Sequence, residues 1–390
     1  PKQDVFGHLE IRGAGKKLLK VVELYEDDEQ RLWLGTDGDG LGLYDDITQQ
    51  VHTYKHHSYI HSSISDDVVN TIYNDNRGGL WVGTFYRGLN FVNLYSAAFT
   101  HIEEIKGASD HNIVCSIAED ADENLWLATD GGGIVHYSKD LKFIESYNTH
   151  KKPFIESNST LSMLFDGDDL WVGTYYGGTQ KIQTKKHKVT IYKHDEKDST
   201  SIASDVVWYV YKDKKKQLWF CTQGGLSLFN RKTNTFRNFT KENSPIKSGN
   251  VRCVYEDVRG DHWFGSEDAL YRYDAEGRFH EYIHSVKNAN SICNNWIVTI
   301  QEDDNGDVWF GSYGGGISKY RPSSDDFESF DTRHGLCNNF ICGIIASSKE
   351  DLWISTLRGM SHFNIKNETF QNYYSEDGLQ GDKFSINGIW

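Results

Sequence analysis

The chain has 390 residues, of which 38% are hydrophobic and 14% aromatic, with 36 glycines against 4 prolines. That balance describes a turn-rich all-β protein, and no stretch keeps helical periodicity beyond about two turns. A net charge of −15 argues against nucleic acid and anionic membrane surfaces as partners, and no run of apolar residues is long enough for a membrane helix.

Residues 1–20 carry no repeat, although Val5 to Ile11 reads as an outer strand that completes a blade. From residue 21 to 374 one phrase returns eight times, around Trp33, Trp81, Trp126, Trp171, Trp219, Trp263, Trp309 and Trp353, at spacings of 44 to 48 residues. Leu32-Trp33-Leu34-Gly35-Thr36 and Leu170-Trp171-Val172-Gly173-Thr174 are two of its forms. In the second repeat, Val68 to Tyr73 is an apolar, β-branched strand and Asn74 to Gly79 is turn chemistry. Leu80 to Thr84, Gly88 to Val92 and Phe99 to Ile102 are three further strands. Four strands per unit at this period predict an all-β fold, a β-propeller of four-stranded blades. Eight repeats are counted, which leaves seven or eight blades in a closed ring. First strands such as Val206 to Tyr211 and Val251 to Tyr255 are apolar at neighbouring positions, as expected of innermost strands buried on both faces. Each repeated Trp is expected to pack between blades. Residues 375–390 read as the start of a further repeat, with Lys383 to Trp390 as its opening strand, so the chain is expected to be cut from a longer one.

Six cysteines, at 115, 221, 253, 293, 337 and 342, form no C-x-x-C pair and follow strand positions, which predicts free, mostly buried thiols. The Asp-rich turns before each Trp, such as Asp304-Asn305-Gly306-Asp307, resemble the Asp-box hairpins of sialidases, where such turns are structural. Recurrence argues the same here, because catalysis seldom needs one residue eight times. No G-x-S-x-G, H-E-x-x-H or P-loop motif is present. His56-His57-Ser58-Tyr59-Ile60-His61 lacks an ordered carboxylate partner and reads as a solvated loop, so neither a metal nor a cofactor is expected.

The run Glu302-Asp303-Asp304-Asn305-Gly306-Asp307-Val308-Trp309-Phe310-Gly311-Ser312-Tyr313-Gly314-Gly315-Gly316-Ile317 resembles the repeat of the two-component regulator propeller family. The likeness covers about residues 20 to 390. His334-Gly335-Leu336-Cys337-Asn338-Asn339-Phe340 and Asp377-Gly378-Leu379-Gln380-Gly381-Asp382-Lys383-Phe384 are similar to the final blades of that family's second propeller. The resemblance implies a periplasmic, non-catalytic sensor region of an inner-membrane-anchored hybrid two-component system that recognises an oligosaccharide. It implies that a small β-sandwich, a membrane helix and a histidine kinase follow in the longer chain, and a homodimer is a further expectation. Propellers of the family usually have seven blades, whereas eight repeats are counted here.

Ligand contacts are expected on the loops between second and third strands. Phe85, Tyr86, Arg87, Tyr175, Tyr176, Tyr313 and Arg358 stand there where other repeats keep plain glycine. Aromatic rings stack on the apolar faces of sugars, and Arg binds carboxylate or sulfate bidentately. Arg252 and Trp208 share a first-strand position with Asn70, Cys115, Val298 and Cys342. A structural ion pair is the favoured reading for Arg252, and core packing for Trp296. A protein-docking scaffold propeller and a polysaccharide lyase or hydrolase remain as alternatives.

Overall fold

The computed structural model describes residues 18–27, 30–45, 50–56, 63–74, 79–93, 113–150, 152–377, 379 and 381–386. Among them lie eight antiparallel sheets, in which sequential strands are neighbours. Sheet one runs from Val21–Glu26 to Gln50–Tyr54, and sheet two holds Val69–Asn74, Gly79–Thr84 and Gly88–Asn93. Sheets three to eight open on Val114–Glu119, Thr160–Asp166, Val207–Lys212, Val251–Glu256, Ile297–Glu302 and Ile341–Ala346. Seven sheets have four strands and sheet two has three. The fourth strand expected at Phe99 to Ile102, the outer strand at Val5 to Ile11 and most of the histidine loop lie outside the described residues. The chain is thus an all-β protein built of propeller blades. It divides into two compact units, the first holding sheets one and two and the second sheets three to eight.

The repeated phrase explains the blade. Its Thr or Ser hydroxyl donates to the carbonyl that opens the third strand, as in Thr129 to Gly133 (2.8 Å), Thr174 to Gly178 (2.8 Å) and Ser312 to Gly316 (2.9 Å). Gly133, Gly178 and Gly316 have φ of 83°, 69° and 88°. A Cβ at any of them would sit 2.2 Å from a fourth-strand carbonyl oxygen, so only glycine fits. At the opposite end of the blade, an aspartate six residues before the Trp ties the first turn together. Asp120, Asp213, Asp257 and Asp303 each accept from the indole Nε1 of Trp126, Trp219, Trp263 and Trp309 at 2.9–3.1 Å, and in sheet one Asp27 does the same for Trp33. Burial opposes the charge of Asp120, but hydrogen bonds from Trp126 and Asn124 outweigh it and hold the carboxyl below its ordinary range.

Blades of the second unit meet through these rings. Trp171 touches Phe220 and Phe229 of the next sheet at 5.3 and 4.9 Å, Trp263 touches Phe310 and Tyr320 at 5.0 and 4.8 Å, and Trp309 touches Phe363 at 5.7 Å. Six of the eight tryptophans are buried, whereas Trp81 and Trp353 are only half-buried. Trp353 belongs to the last described sheet, so no following blade covers it among the described residues.

The expected further repeat falls partly on described residues. Ser375 donates its N–H to the Asp382 side chain, and Gly359 N–H donates to Asp382 O. Asp205, which precedes the first strand of sheet five, makes the same two bonds with His194 and Gly178. No strand is formed at residues 383–386.

All six cysteines are free. Burial pushes the thiols of Cys115, Cys253 and Cys342 up to about 12, and that of Cys221 well above its ordinary value. Only the thiolate is nucleophilic, and its population rises as pH approaches the thiol pKa. At pH 8 these four should resist alkylation in the folded protein and react once it is unfolded. Mass spectrometry without reductant checks this, and two or more disulfides would overturn it.

Candidate functional site

Each first strand carries a register shift against the second strand, and the residue inside the shift is Val22, Asn70, Cys115, Leu161, Trp208, Arg252, Val298 or Cys342. A bulge leaves that residue out of the pleat and re-aims its side chain. Most repeats put a small or aliphatic group there. Sheets five and six put Trp208 and Arg252 there, and the two stack, with the guanidinium carbon 3.8 Å from the indole centroid.

From this pair a continuous strip of rings extends across sheets four to eight. Trp208 lies 5.9 Å from Tyr175, which packs at 4.3 Å on Tyr176. On the other side Arg252 lies 5.7 Å from the ring of Trp296, followed by Tyr313 at 4.5 Å and Phe340 at 4.9 Å. Tyr175, Tyr176 and Phe340 are exposed, and Trp208, Trp296 and Tyr313 are half-buried. The Tyr176 hydroxyl beside it raises the Tyr175 phenol above its ordinary value.

Arg252 makes the ion pair expected of it, Nη2 to Glu267 Oε1 at 2.6 Å. Its Nε is buried without a hydrogen-bond partner, as is the indole Nε1 of Trp296. Trp208 Nε1 donates to Asn250 Oδ1 at 2.8 Å. The strip therefore combines apolar ring faces with one cation and two unused donors. Trp296 belongs to this strip rather than to the core, because it precedes its strand and packs on Tyr313 and Arg252.

Of the seven loop residues expected to bind ligand, Tyr175, Tyr176 and Tyr313 join the strip. Arg358 is exposed on the equivalent loop of sheet eight, its N–H bonded to Thr356 Oγ1. Phe85, Tyr86 and Arg87 lie in the first unit, all exposed, with the Phe85 and Tyr86 rings 4.6 Å apart and Arg87 Nη1 3.2 Å from His56 Nε2. The sequence marks Arg252 as a cation, beside Trp208, at a position that is small or apolar in other repeats, with an ion pair the favoured reading there and core packing for Trp296; Phe340 carries no such mark.

The sequence profile described as Two component regulator propeller matches residues 63–86, 107–131 and 291–314. The chain carries two-component regulator propeller repeats. A protein named Histidine kinase P4 from Formosa agariphila is 26% identical over 295 residues, which are 71% of this chain and 21% of that protein. The extracellular domain of a protein described as a hybrid two-component system from B. thetaiotaomicron superposes with a TM-score of 0.64 at 22% identity, over 94% of this chain and 53% of that one. A second such domain from the same organism gives 0.60 at 19% identity, over 90% and 48%. Virginiamycin B lyase from Staphylococcus aureus gives 0.53 at 16% identity, over 68% and 86%. The chain thus spans about a fifth of the length of the curated relative and about half of each of the two extracellular domains. At these identities the structural likenesses establish the propeller fold alone.

Proposed function

We propose that the chain is the ligand-sensing, non-catalytic part of a periplasmic hybrid two-component receptor, which recognises an oligosaccharide and passes the signal to a histidine kinase of the same polypeptide. The observation that carries this is the strip of rings around Arg252. Sugars present apolar C–H faces that rings can cover, and a carboxylate or sulfate on the chain would meet the guanidinium. The regulator repeats and the kinase relative supply the signalling context. Against hydrolysis or elimination speaks the use of the recurrent aspartates, whose oxygens are engaged by Trp and turn N–H donors. No described helix is long and apolar enough to cross a membrane, so in this reading the anchor lies elsewhere in the polypeptide.

The test is calorimetry after a screen of neutral and acidic oligosaccharides. Tyr175→Ala and Arg252→Ala should each weaken binding by about 1–3 kcal/mol, with Arg252→Ala affecting acidic sugars most. Tyr86→Ala and Arg87→Ala extend the test to the first unit. The ligand should be recovered intact. Unchanged affinity in all four variants would favour a protein-docking surface, and a cleaved or unsaturated product would refute the sensor reading.

A further inference from the structure

Seven of the eight repeats place leucine or valine immediately before the repeated Trp: Leu32, Leu80, Leu125, Leu170, Leu218, Val308 and Leu352. The sixth places His262 there. Its side chain is buried, 8% exposed, and its Nε2 has no hydrogen-bond partner, the nearest acidic oxygen being Asp213 Oδ2 at 3.6 Å. A buried imidazole nitrogen without a hydrogen-bond partner is unfavourable, so the substitution needs a reason that packing does not supply.

The space beside it differs from its counterparts. Between sheets four and five the wedge at the blade edge is closed by Tyr192 on Phe229 and Phe236 at 5.5 and 5.8 Å. Between sheets six and seven Tyr282 meets Phe327 at 5.1 Å, and between seven and eight Phe330 meets Phe363 at 5.1 Å. Between sheets five and six the corresponding groups are Phe239, Tyr273 and Phe279. Tyr273 and Phe279 pack on each other at 4.8 Å, but among the described residues neither makes a ring contact with Phe239. Tyr273 is 36% exposed, against 7% for Phe229, 2% for Tyr320 and 0% for Phe363 at the same register. The wedge is left open as a cavity of about 220 Å³, lined by Trp219, Phe239, Phe264, Phe279 and His262. It adjoins a wider groove, the two sharing Lys215, Gln217, Leu228 and Arg237. Lys215 and Arg237 are exposed, and Arg237 stands 4.9 Å over the Phe239 ring.

We propose that this inter-blade cleft is a second ligand site, which takes a small aromatic acid with its ring among Trp219, Phe264 and Phe279 and its anionic group at Lys215 and Arg237. An apolar protein cavity of about 150 Å³ is enough to bind benzene, so the cleft accommodates one or two fused rings. His262 Nε2 supplies the polar atom that a purely aliphatic wedge lacks, and pairs with a ring substituent or the inner acid oxygen. The two cations set the sign of the ligand. A metal ion is a poorer fit to the same histidine. Asp213, Glu256 and His262 bring donor atoms within 4.8 Å of one another. However, Asp213 is already bonded to Gln217 N and Trp219 Nε1, and Glu256 to Lys214 N. The Asp–Trp bond recurs at Trp33, Trp126 and Trp309, in repeats that have no histidine before the Trp, so it belongs to the turn.

The experiment titrates 2-naphthoate and its neutral counterpart 2-naphthamide into the protein, following Trp fluorescence and calorimetry in EDTA. Saturable 2-naphthoate binding is expected, at least tenfold tighter than 2-naphthamide. His262→Leu, which restores the residue of the other repeats, should weaken it tenfold or more. The Lys215→Ala/Arg237→Ala double variant changes only exposed side chains and should do the same with an unchanged melting temperature, so it decides the matter where His262→Leu fails to fold. No saturable binding at millimolar concentration, equal affinity for the amide, unaltered affinity in the rim variant, or binding that appears only with added zinc would each overturn the proposal. Tyr175→Ala should leave 2-naphthoate affinity unchanged, which separates this site from the ring strip.

Discussion

Replacing Trp171 with alanine should lower the stability of the protein by about 3–5 kcal/mol, the range for truncating a large buried aromatic. The ring is 1% exposed and holds two blades at once. Within its own sheet it stacks on Tyr192 at 5.5 Å, and from the next sheet Phe220 and Phe229 meet it edge-on. Each such aromatic pair adds about 0.5–1.5 kcal/mol beyond the area it buries. Neighbouring first strands are held by their own ladders and cannot collapse into the space, so most of the cavity should persist. Chemical denaturation of the parent and variant measures the difference. A loss below about 1 kcal/mol would mean that the ring is not the inter-blade wedge described here.

The architecture was readable because the information that sets a blade is local. A Trp, a Gly at a positive φ where no side chain fits and a hydroxyl that closes the next turn lie within about a dozen residues of one another, and the period of the phrase does the rest. Burial of six tryptophans and the Asp–indole bonds follow from that phrase. The ring strip was less readable, for a physical reason. Its residues come from three kinds of position: bulges in first strands, the residue before the strand, and the loop after the second. Whether Trp208 or Arg252 points into a core or along an open face depends on the bulge, which is a property of the pairing between two strands and leaves no mark on one of them. The ion pair of Arg252 was anticipated, but an ion pair and a ligand contact are not exclusive when a guanidinium has a face to offer. Trp296 looked like core because other repeats hold Val68, Ile113 or Phe340 at the same position. His262 shows the converse case, since a single departure from an aliphatic column is visible in sequence and gains meaning only from the cavity beside it.

The second large effect is expected at the turn aspartates, and it separates a structural from a chemical role for them. Asp303 is 5% exposed, takes the N–H groups of Asn305 and Asp307 on one oxygen at 2.8 and 3.1 Å, and takes Trp309 Nε1 on the other at 2.9 Å. Asp303→Ala strands all three donors, two of them beside a fully buried indole. The expected cost is about 2–4 kcal/mol, since each unsatisfied buried donor forfeits about 1–3 kcal/mol and the turn relaxes to recover part of it. Asp303→Asn keeps one acceptor oxygen for the two backbone N–H groups but must turn its amide NH2 toward the indole N–H, donor against donor. It should therefore fall between the parent and the alanine variant rather than act as a conservative change. Sheets four and eight form without this aspartate, having Phe165 and Ser347 six residues before their Trp, so the bond strengthens a blade that the strand ladder already specifies. Both variants should then fold at low temperature and bind any ligand of the ring strip as the parent does. A variant with parental stability but lost ligand turnover would instead assign these carboxylates to catalysis.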